Sequence, residues 1–193
     1  MAVNLAKGQK VSLTKNNPGL KNIIVGLGWN IDSSAASTAF DLDASAFLLN
    51  SEGRVSEPKD FVFYGNLSHP SGAVMHKGGS PKGVGFADNA KIKINLSLIP
   101  AFVVRIAFTA TIYEADEKNQ TFSQVSNAYI RIYNEQTNEE LLRYNLSEDF
   151  SVETAVVFGE LYKNNGEWKF NAMGNGSGGG LAALCGNYGV EVG

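Results

Sequence analysis

The sequence predicts an all-β protein, an antiparallel β-sandwich that ends in a short C-terminal helix. Short apolar runs recur along the chain and are separated by Gly, Asn, Asp and Pro, the residues that favour turns. Within several runs apolar and polar residues alternate with a period of two, as Ile92, Ile94 and Leu96 do with their polar neighbours. This alternation is typical of antiparallel strands that turn one face to a core and the other to water.

Nine strand-like runs can be placed in order along the chain, and we expect them to form a single domain over residues 1–193. They cover residues 22–29, 44–50, 60–66, 91–96, 103–115, 128–134, 140–146, 154–165 and 167–173. Hairpin turns are indicated at residues 50–54, 133–141 and 162–170. In the last of these, Asn165-Gly166 predicts a type I′ turn.

Two segments do not have the strand pattern. The Gly-rich segment 75–90 predicts a long loop, and long loops inside compact domains are usually functional or mobile. The segment 180–189 predicts a short helix that ends at Gly186 or Gly189 and covers one open end of the sandwich.

Composition and charge exclude several classes of protein. The net charge is -3, so nothing indicates a surface for nucleic acid. No apolar run approaches the roughly 20 residues that a membrane-spanning helix requires. The N-terminus has no apolar segment of the kind found in signal peptides, and Cys185 is the only cysteine. We therefore expect a cytoplasmic protein without an internal disulfide.

The stretch "AFDLDASAFLLN" places two aspartates, Asp41 and Asp43, at the start of a hydrophobic strand. Residues i and i+2 share one face of a strand, so both carboxylates are expected about 7 Å apart on the same side. Like charges this close raise each other's pKa unless a cation or hydrogen-bond donors intervene, and calcium prefers such oxygen ligands. The alternative is that both carboxylates are simply solvated at a strand end.

Other oxygen donors occur at predicted strand ends and in the Gly-rich segment. Asp88 and Asn89 lie in "GFADNAK", and two further amides are available. Since no EF-hand spacing is present, a metal site would have to be built between loops. The candidate calcium ligands are Asp41, Asp43, Asp88, Asn30, Asn89 and Asn66.

Rival patterns are weaker. Gly174, Gly176 and Gly179 match G-x-G-x-x-G, but only residues 180–193 follow, so no second parallel strand can complete a dinucleotide-binding unit. We interpret this stretch as a flexible turn into the last helix. Cys185 is expected in the core. His69 and His76 lie in a loop region and are expected to be solvated rather than to bind a metal.

Several long blocks together resemble the tellurium-resistance TerD-type stress proteins, over about residues 2–192. The blocks include "VGLGW" (25–29), "FDLDAS" (40–45), "DFVFYGN" (60–66), "QVSNAYIRIYN" (124–134), "YNLSEDFSVETAVVFGELYKNNGEWKF" (144–170) and "GGLAALCGNYGV" (179–190). The resemblance implies a β-sandwich with long calcium-site loops. It also implies a bacterial, cytoplasmic and sometimes membrane-peripheral stress-response role, with no established catalytic activity.

The departures from this family concern the calcium loops. The family pattern places acids at positions 30, 41, 43, 79 and 88–90. Only three of these positions remain acidic here, Asp41, Asp43 and Asp88, while the others are Asn30, Gly79, Asn89 and Ala90. Calcium affinity depends on the number of charged ligands, so we expect either one weakened calcium site or none. Lys82 is a candidate for the positive charge that a lost ion would have supplied.

The resemblance predicts a non-enzymatic binding or scaffold module in stress response. Its partners would be other stress-response proteins of the same family or a second copy of itself, with no nucleic acid. The alternative is a metal-independent paralogue that acts as a self-assembling or membrane-peripheral structural component. An enzyme with a metal centre at Asp41, Asp43 and Asp88 is disfavoured, because no general base or nucleophile is evident near them in the sequence.

Overall fold

A computed structural model describes residues 2–31, 42–79, 88–146, 150 and 152–190 of the chain. The strands in these ranges are β1 (Val3–Leu5), β2 (Lys10–Ser12), β3 (Asn22–Ile31), β4 (Leu42–Leu49), β5 (Phe61–Val62), β6 (Val74–Gly79), β7 (Ala90–Asn95), β8 (Arg105–Ile112), β9 (Val125–Asn134), β10 (Glu140–Asn145), β11 (Ala155–Asn164) and β12 (Glu167–Ser177). The helices are α1 (Ala115–Lys118) and α2 (Gly180–Tyr188), with short 3-10 turns at Pro58–Asp60, Leu96–Leu98 and Phe122–Gln124.

The strands form two six-stranded sheets. The first sheet has the order β1-β10-β9-β3-β7-β6, and the second has the order β2-β12-β11-β8-β4-β5. Neighbouring strands are antiparallel except for β1 and β10, which pair in parallel from Val3 opposite Leu142. The predicted fold class, an antiparallel-rich β-sandwich with a short C-terminal helix, is confirmed.

Most of the apolar side chains lie between the two sheets. Trp29, Phe108, Phe158 and Tyr144 are among the large residues that are almost fully buried there. We call the face of each sheet that points away from this core its outer face. Since burial of apolar surface is the main favourable term in folding, this layer positions every strand that carries a candidate site residue.

A second, smaller core covers the outer face of the second sheet. Phe47 of β4 and Phe61 of β5 stack with ring centroids 4.4 Å apart, and Leu184 and Cys185 of α2 belong to the same cluster. Residues 46–49 of β4 are therefore apolar on both faces, which explains why this part of the sequence is a continuous hydrophobic run. The prediction that Cys185 is a core residue is confirmed.

Two predicted turns are confirmed in detail. Asn165 and Gly166 both have positive φ, 52° and 77°, and they connect Asn164 of β11 to Glu167 of β12, as a type I′ hairpin requires. Helix α2 ends at Gly189, which has φ of 78° and donates its N–H to carbonyls of the last turn. Of the two predicted ends, Gly189 is therefore the one used.

Other predictions need correction. Residues 74–79 form β6 and not the first part of a long loop, because Val74 and His76 pair with Ile94 and Ile92 of β7. The run at 60–66 shortens to β5 plus one isolated bridge between Phe63 and Asn66. Strands β1 and β2 and helix α1 were not predicted, since three or four residues are too few to show a periodic pattern.

The glycines of the G-x-G-x-x-G match do not form a phosphate-binding loop. Gly174 and Gly176 lie within β12, and only Gly179 stands at the start of α2. The interpretation as a turn into the helix therefore holds for Gly179 alone. Among the described residues, no helix has both the length and the apolar character that a membrane crossing needs.

Candidate functional site

Asp43 lies on β4 opposite Thr111 of β8. Leu42 and Ala44, its neighbours along the strand, belong to the inter-sheet core, so Asp43 points to the outer face of the second sheet, on the side of Phe47. It is half-buried there. Its predicted companion Asp41 lies outside the described residues.

Asp43 lines an open cavity of about 330 Å³. Three more carboxylates, those of Glu114, Asp116 and Glu117, line the same cavity, together with Tyr64 and other residues. Carboxylate oxygens are among the ligands that calcium prefers, so these acidic residues suit the ion in kind. Within the described part of the chain, however, no three acidic, His or Cys side chains come close enough together to hold a metal ion. The calcium site at Asp41 and Asp43 stays a prediction.

Asp88 has a different environment. Arg131 donates to its carboxylate from Nε, at 2.9 Å to Oδ1, and from Nη2, at 2.7 Å to Oδ2. The hydroxyl of Tyr129 donates to Oδ1 at 2.7 Å. The Asp88 side chain is completely buried. Burial together with the bond to Asp88 raises the pKa of Tyr129, and the same carboxylate raises the pKa of Arg131, so the phenol stays neutral and the guanidinium charged.

Asp43 and Asp88 lie on opposite sides of the sandwich. Ile130 of β9 points into the inter-sheet core, so the residues on either side of it, Tyr129 and Arg131, point to the outer face of the first sheet and hold Asp88 there. Asp43 points to the outer face of the second sheet. The structure therefore does not bring these two predicted ligands together.

The three predicted amide ligands have different environments. Asn89 is buried, and its Oδ1 accepts the backbone N–H of Trp29 at 2.8 Å. Asn66 donates from Nδ2 to the carbonyl of Phe61 at 2.8 Å, which fixes a turn. Asn30 lies on β3 beside Ser126 of β9 and is half-buried. For Asn89 and Asn66, these hydrogen bonds give a structural reason for the amide.

The expectation that His69 is solvated is wrong. Only 4% of its surface is exposed, and its Nε2 lies 2.7 Å from Oδ1 of Asp60, which is completely buried. The backbone N–H of Glu57 donates to the other oxygen of Asp60 at 3.1 Å. A buried carboxylate needs hydrogen-bond donors, and the imidazole supplies one. His76 is half-buried beside the Ala44 carbonyl, 3.1 Å from its Nε2, and burial lowers its pKa.

Asp60, His69 and Ser71 form a hydrogen-bonded chain that resembles a catalytic triad in composition. The hydroxyl of Ser71 lies 2.7 Å from Nδ1 of His69. It also accepts the backbone N–H of Ala73 at 3.1 Å, so it is part of a local turn. The carboxylate meets Nε2 and the hydroxyl meets Nδ1, which reverses the ring positions used in serine hydrolases. These contacts stabilise the segment before β6.

Sequence reasoning missed Arg131 and Asp60 as key partners. In the sequence, Arg131 alternates with Ile130 and Ile132, a pattern that indicates only a polar strand face. A signal was nevertheless present, because β3 carries Gly26 and Gly28 where its outward-pointing side chains would be. Lys82, the predicted source of positive charge, lies outside the described residues.

Comparisons with known proteins cover the whole chain. The family model described as "TerD domain" matches residues 1–188. The chain is similar to general stress protein 16U of Bacillus subtilis (strain 168), with 52% identity over 193 residues and all of both chains covered. It is similar to tellurium resistance protein TerD of Serratia marcescens, with 50% identity over 192 residues and the same coverage.

A solved structure shows the same fold. It is that of a homologue of telluride resistance protein (TerD) from Streptomyces coelicolor A3(2). The TM-score is 0.66 at 23% sequence identity, and the match covers 86% of this chain and 95% of the other.

Proposed function

The chain belongs to the TerD domain family, and from this premise we propose that it is a non-enzymatic stress-response protein that acts as a binding or scaffold module. The observation that carries the proposal is the similarity over the full length, at about half identity, to proteins named for general stress and tellurium resistance. Because both chains are covered completely, the shared part includes every element of the sandwich.

Calcium binding at Asp41 and Asp43 is part of this proposal. It is supported by the position of Asp43 in a cavity lined by three further carboxylates. With fewer acids than the family pattern provides, the site would bind calcium weakly. The ion would tie the segments around this cavity together and so set the shape of the surface offered to a partner.

The non-enzymatic character is supported by the chemistry of the nucleophiles. The Ser71 hydroxyl is engaged in a turn, and burial raises the pKa of the Cys185 thiol, which keeps it in its unreactive protonated form. The partners would be proteins of the same family or a second copy of this chain, in the cytoplasm. Light scattering over a range of concentrations tests whether the chain binds a second copy of itself, since a monomer at every concentration would exclude self-association.

A growth experiment tests the stress role. In a strain that lacks this chain, the wild-type gene should restore growth on tellurite or after a general stress. Asp43→Asn should restore it less well. The control is Glu52→Gln, which neutralises an exposed carboxylate in the turn after β4, outside this cavity, and should behave as wild type. Equal growth with and without the wild-type gene under every stress tested would contradict the proposal.

Thermal melting tests the calcium part. A ligand that binds only the folded state raises its stability by about 2.7 kcal/mol at a hundredfold excess over Kd. In a chain of this size that corresponds to a rise in Tm of roughly 5–10 °C. We expect calcium to produce such a rise in the wild type and in Glu52→Gln, and a smaller one in Asp43→Asn. No rise at several millimolar calcium would show that the site is lost.

A further inference from the structure

Asp88 stands two residues before β7, at the point where the Gly-rich segment joins the first sheet. Its buried carboxylate receives three donors, Nε and Nη2 of Arg131 and the hydroxyl of Tyr129, at 2.7–2.9 Å. A buried carboxylate is stable only when it is paired and hydrogen-bonded, and a two-pronged guanidinium contact is the strongest such pairing. Asp88 is therefore already neutralised by the protein itself.

The first sheet is shaped for this contact. On β3, Gly26 lies opposite Arg131 and Gly28 lies opposite Tyr129. A Cβ on Gly26 would stand only 2.5 Å from Oδ2 of Asp88, and one on Gly28 would meet the ring of Tyr129. Both glycines are therefore needed, because they leave the space into which the carboxylate and the phenol fit.

The outer layer holds the guanidinium in place. Arg131 stacks on the ring of Tyr133 with 4.6 Å between its Cζ and the ring centroid, and its Nη1 lies 3.6 Å from Glu140. Arg143 stacks on the ring of Tyr129 in the same way, at 4.4 Å. Stacking and ion pairing restrict the rotamer of a long side chain. These contacts therefore orient Arg131 independently of Asp88.

We propose that Arg131 takes the place of a metal ion at Asp88, so that this carboxylate fixes the start of β7 to the first sheet without calcium and is not a calcium ligand. We call the set Asp88, Arg131, Tyr129, Gly26 and Gly28 the Asp88 latch. Calcium needs six to eight oxygens at 2.3–2.6 Å, and at Asp88 it would have to compete with these three contacts and take the acceptors of Nε and Nη2 of Arg131.

This inference rests on the proposed function, because it concerns the ligands of the same predicted calcium site. It restricts the effect of calcium to the cavity that contains Asp43. The attachment of Asp88, just before β7, to the outer face of the first sheet then persists when calcium is absent.

A double-mutant cycle tests the latch. Asp88→Asn, Arg131→Gln and the double variant are melted in excess chelator and again in calcium. We expect each single variant to lower Tm by roughly 5–10 °C, and the double variant to lose clearly less than the sum of the two. The losses should be the same in both buffers. Additive losses would overturn the latch, and so would a coupling that is present only with calcium.

The calcium response of Asp88→Asn is the second readout. If the wild type is stabilised by calcium, Asp88→Asn should be stabilised by the same number of degrees at the same midpoint, whereas loss of the response would show that Asp88 is a ligand. If calcium does not stabilise the wild type, the calcium part of the proposed function fails. The double-mutant cycle measured in chelator then tests the Asp88 latch by itself.

Control variants separate the latch from general damage to the sheet. Arg143→Gln removes the neighbouring guanidinium that stacks on Tyr129, and it should lower Tm much less than Arg131→Gln. A loss equal to that of Arg131→Gln would contradict a specific role for Arg131. Should Arg131→Gln fail to fold, Arg131→Lys and Tyr129→Phe each remove only part of the contact. Their losses in chelator should again be coupled to that of Asp88→Asn, and additivity would overturn the latch.

Discussion

Glu160 of β11 carries a carboxyl group that is about nine-tenths buried in the second sheet. Burial raises its pKa above the ordinary value of 4.5, while Arg105, with its Nη1 3.7 Å away, acts in the opposite direction. Asn171, its neighbour on β12, has a buried Oδ1 with no hydrogen-bond partner among the described residues. When protonated, the Glu160 carboxyl carries an O–H donor, and Asn171 is the residue directly opposite it on β12.

The raised pKa predicts how stability depends on pH. Since the folded state favours the protonated form, the stabilising contribution of Glu160 is complete below its unfolded pKa and is lost as pH rises through the folded pKa. Glu160→Gln removes the charge and keeps a donor, so its Tm relative to wild type should increase between about pH 4 and pH 7. Thermal melts of both proteins over this pH range measure this difference in Tm.

The control is Glu52→Gln, which changes an exposed carboxylate in the turn after β4. The difference in Tm between Glu52→Gln and wild type should vary less with pH than the difference between Glu160→Gln and wild type. A constant difference between Glu160→Gln and wild type over the whole range would contradict the raised pKa.

At the scale of single elements, α2 contains two glycines with opposite requirements. Gly186 lies in the helix, is exposed, and a Cβ added there would meet no atom within 4 Å. Gly189 ends the helix with φ of 78°, and a Cβ there would stand 2.8 Å from Nε of Arg54. The first glycine therefore weakens the helix, whereas the second is needed to terminate it.

Alanine substitutions at Gly186 and Gly189 should change the stability of the protein in opposite directions. Gly186→Ala should raise stability by about 0.5–1 kcal/mol, because alanine favours the helix and loses less conformational freedom. Gly189→Ala should lower it by about 1–2 kcal/mol, because alanine is strained at positive φ. In a chain of this size each kcal/mol moves Tm by roughly 2–4 °C, so calorimetry resolves both. A shift of the same sign in the two variants would contradict this assignment.

The long strands could be predicted from the sequence because their periodicity spans six or more residues, as in β7 and β9. Strand β6 could not be predicted. Its sequence, "VMHKGG", has little strand preference, and it is a strand only because β7 pairs with it. Local sequence does not show such a tertiary effect.

The same limit applies to the candidate site. The sequence predicted Asp88 as a candidate calcium ligand and Lys82 as a candidate for the positive charge of a lost ion. The cation at Asp88 is Arg131, which is 43 residues away along the chain. The sheet register that places Arg131 opposite Gly26 decides this, and register between distant strands cannot be read from one sequence.

At the scale of the whole molecule, the two outer faces of the sandwich differ. The outer face of the second sheet is covered by α2, whose Leu184 packs in the second core with Phe47 and Phe61. The outer face of the first sheet carries polar groups such as Arg131 and Lys93. The inter-sheet core does not include α2, so the docking of this helix should be separable from the folding of the sandwich.

Leu184→Asp tests this separation. A carboxylate in the second core would have no partner there, so we expect α2 to detach and to expose the apolar face around Phe47. Binding of a hydrophobic dye should rise, while the near-ultraviolet circular dichroism of the two tryptophans, Trp29 and Trp168, which both lie in the inter-sheet core, should persist. The matched control is Ala182→Asp, at an exposed position of the same helix, which should behave as wild type. If Leu184→Asp also loses the near-ultraviolet signal of the tryptophans, the sandwich and the helix form one cooperative unit. Helix α2 would then be required for the fold of the whole chain.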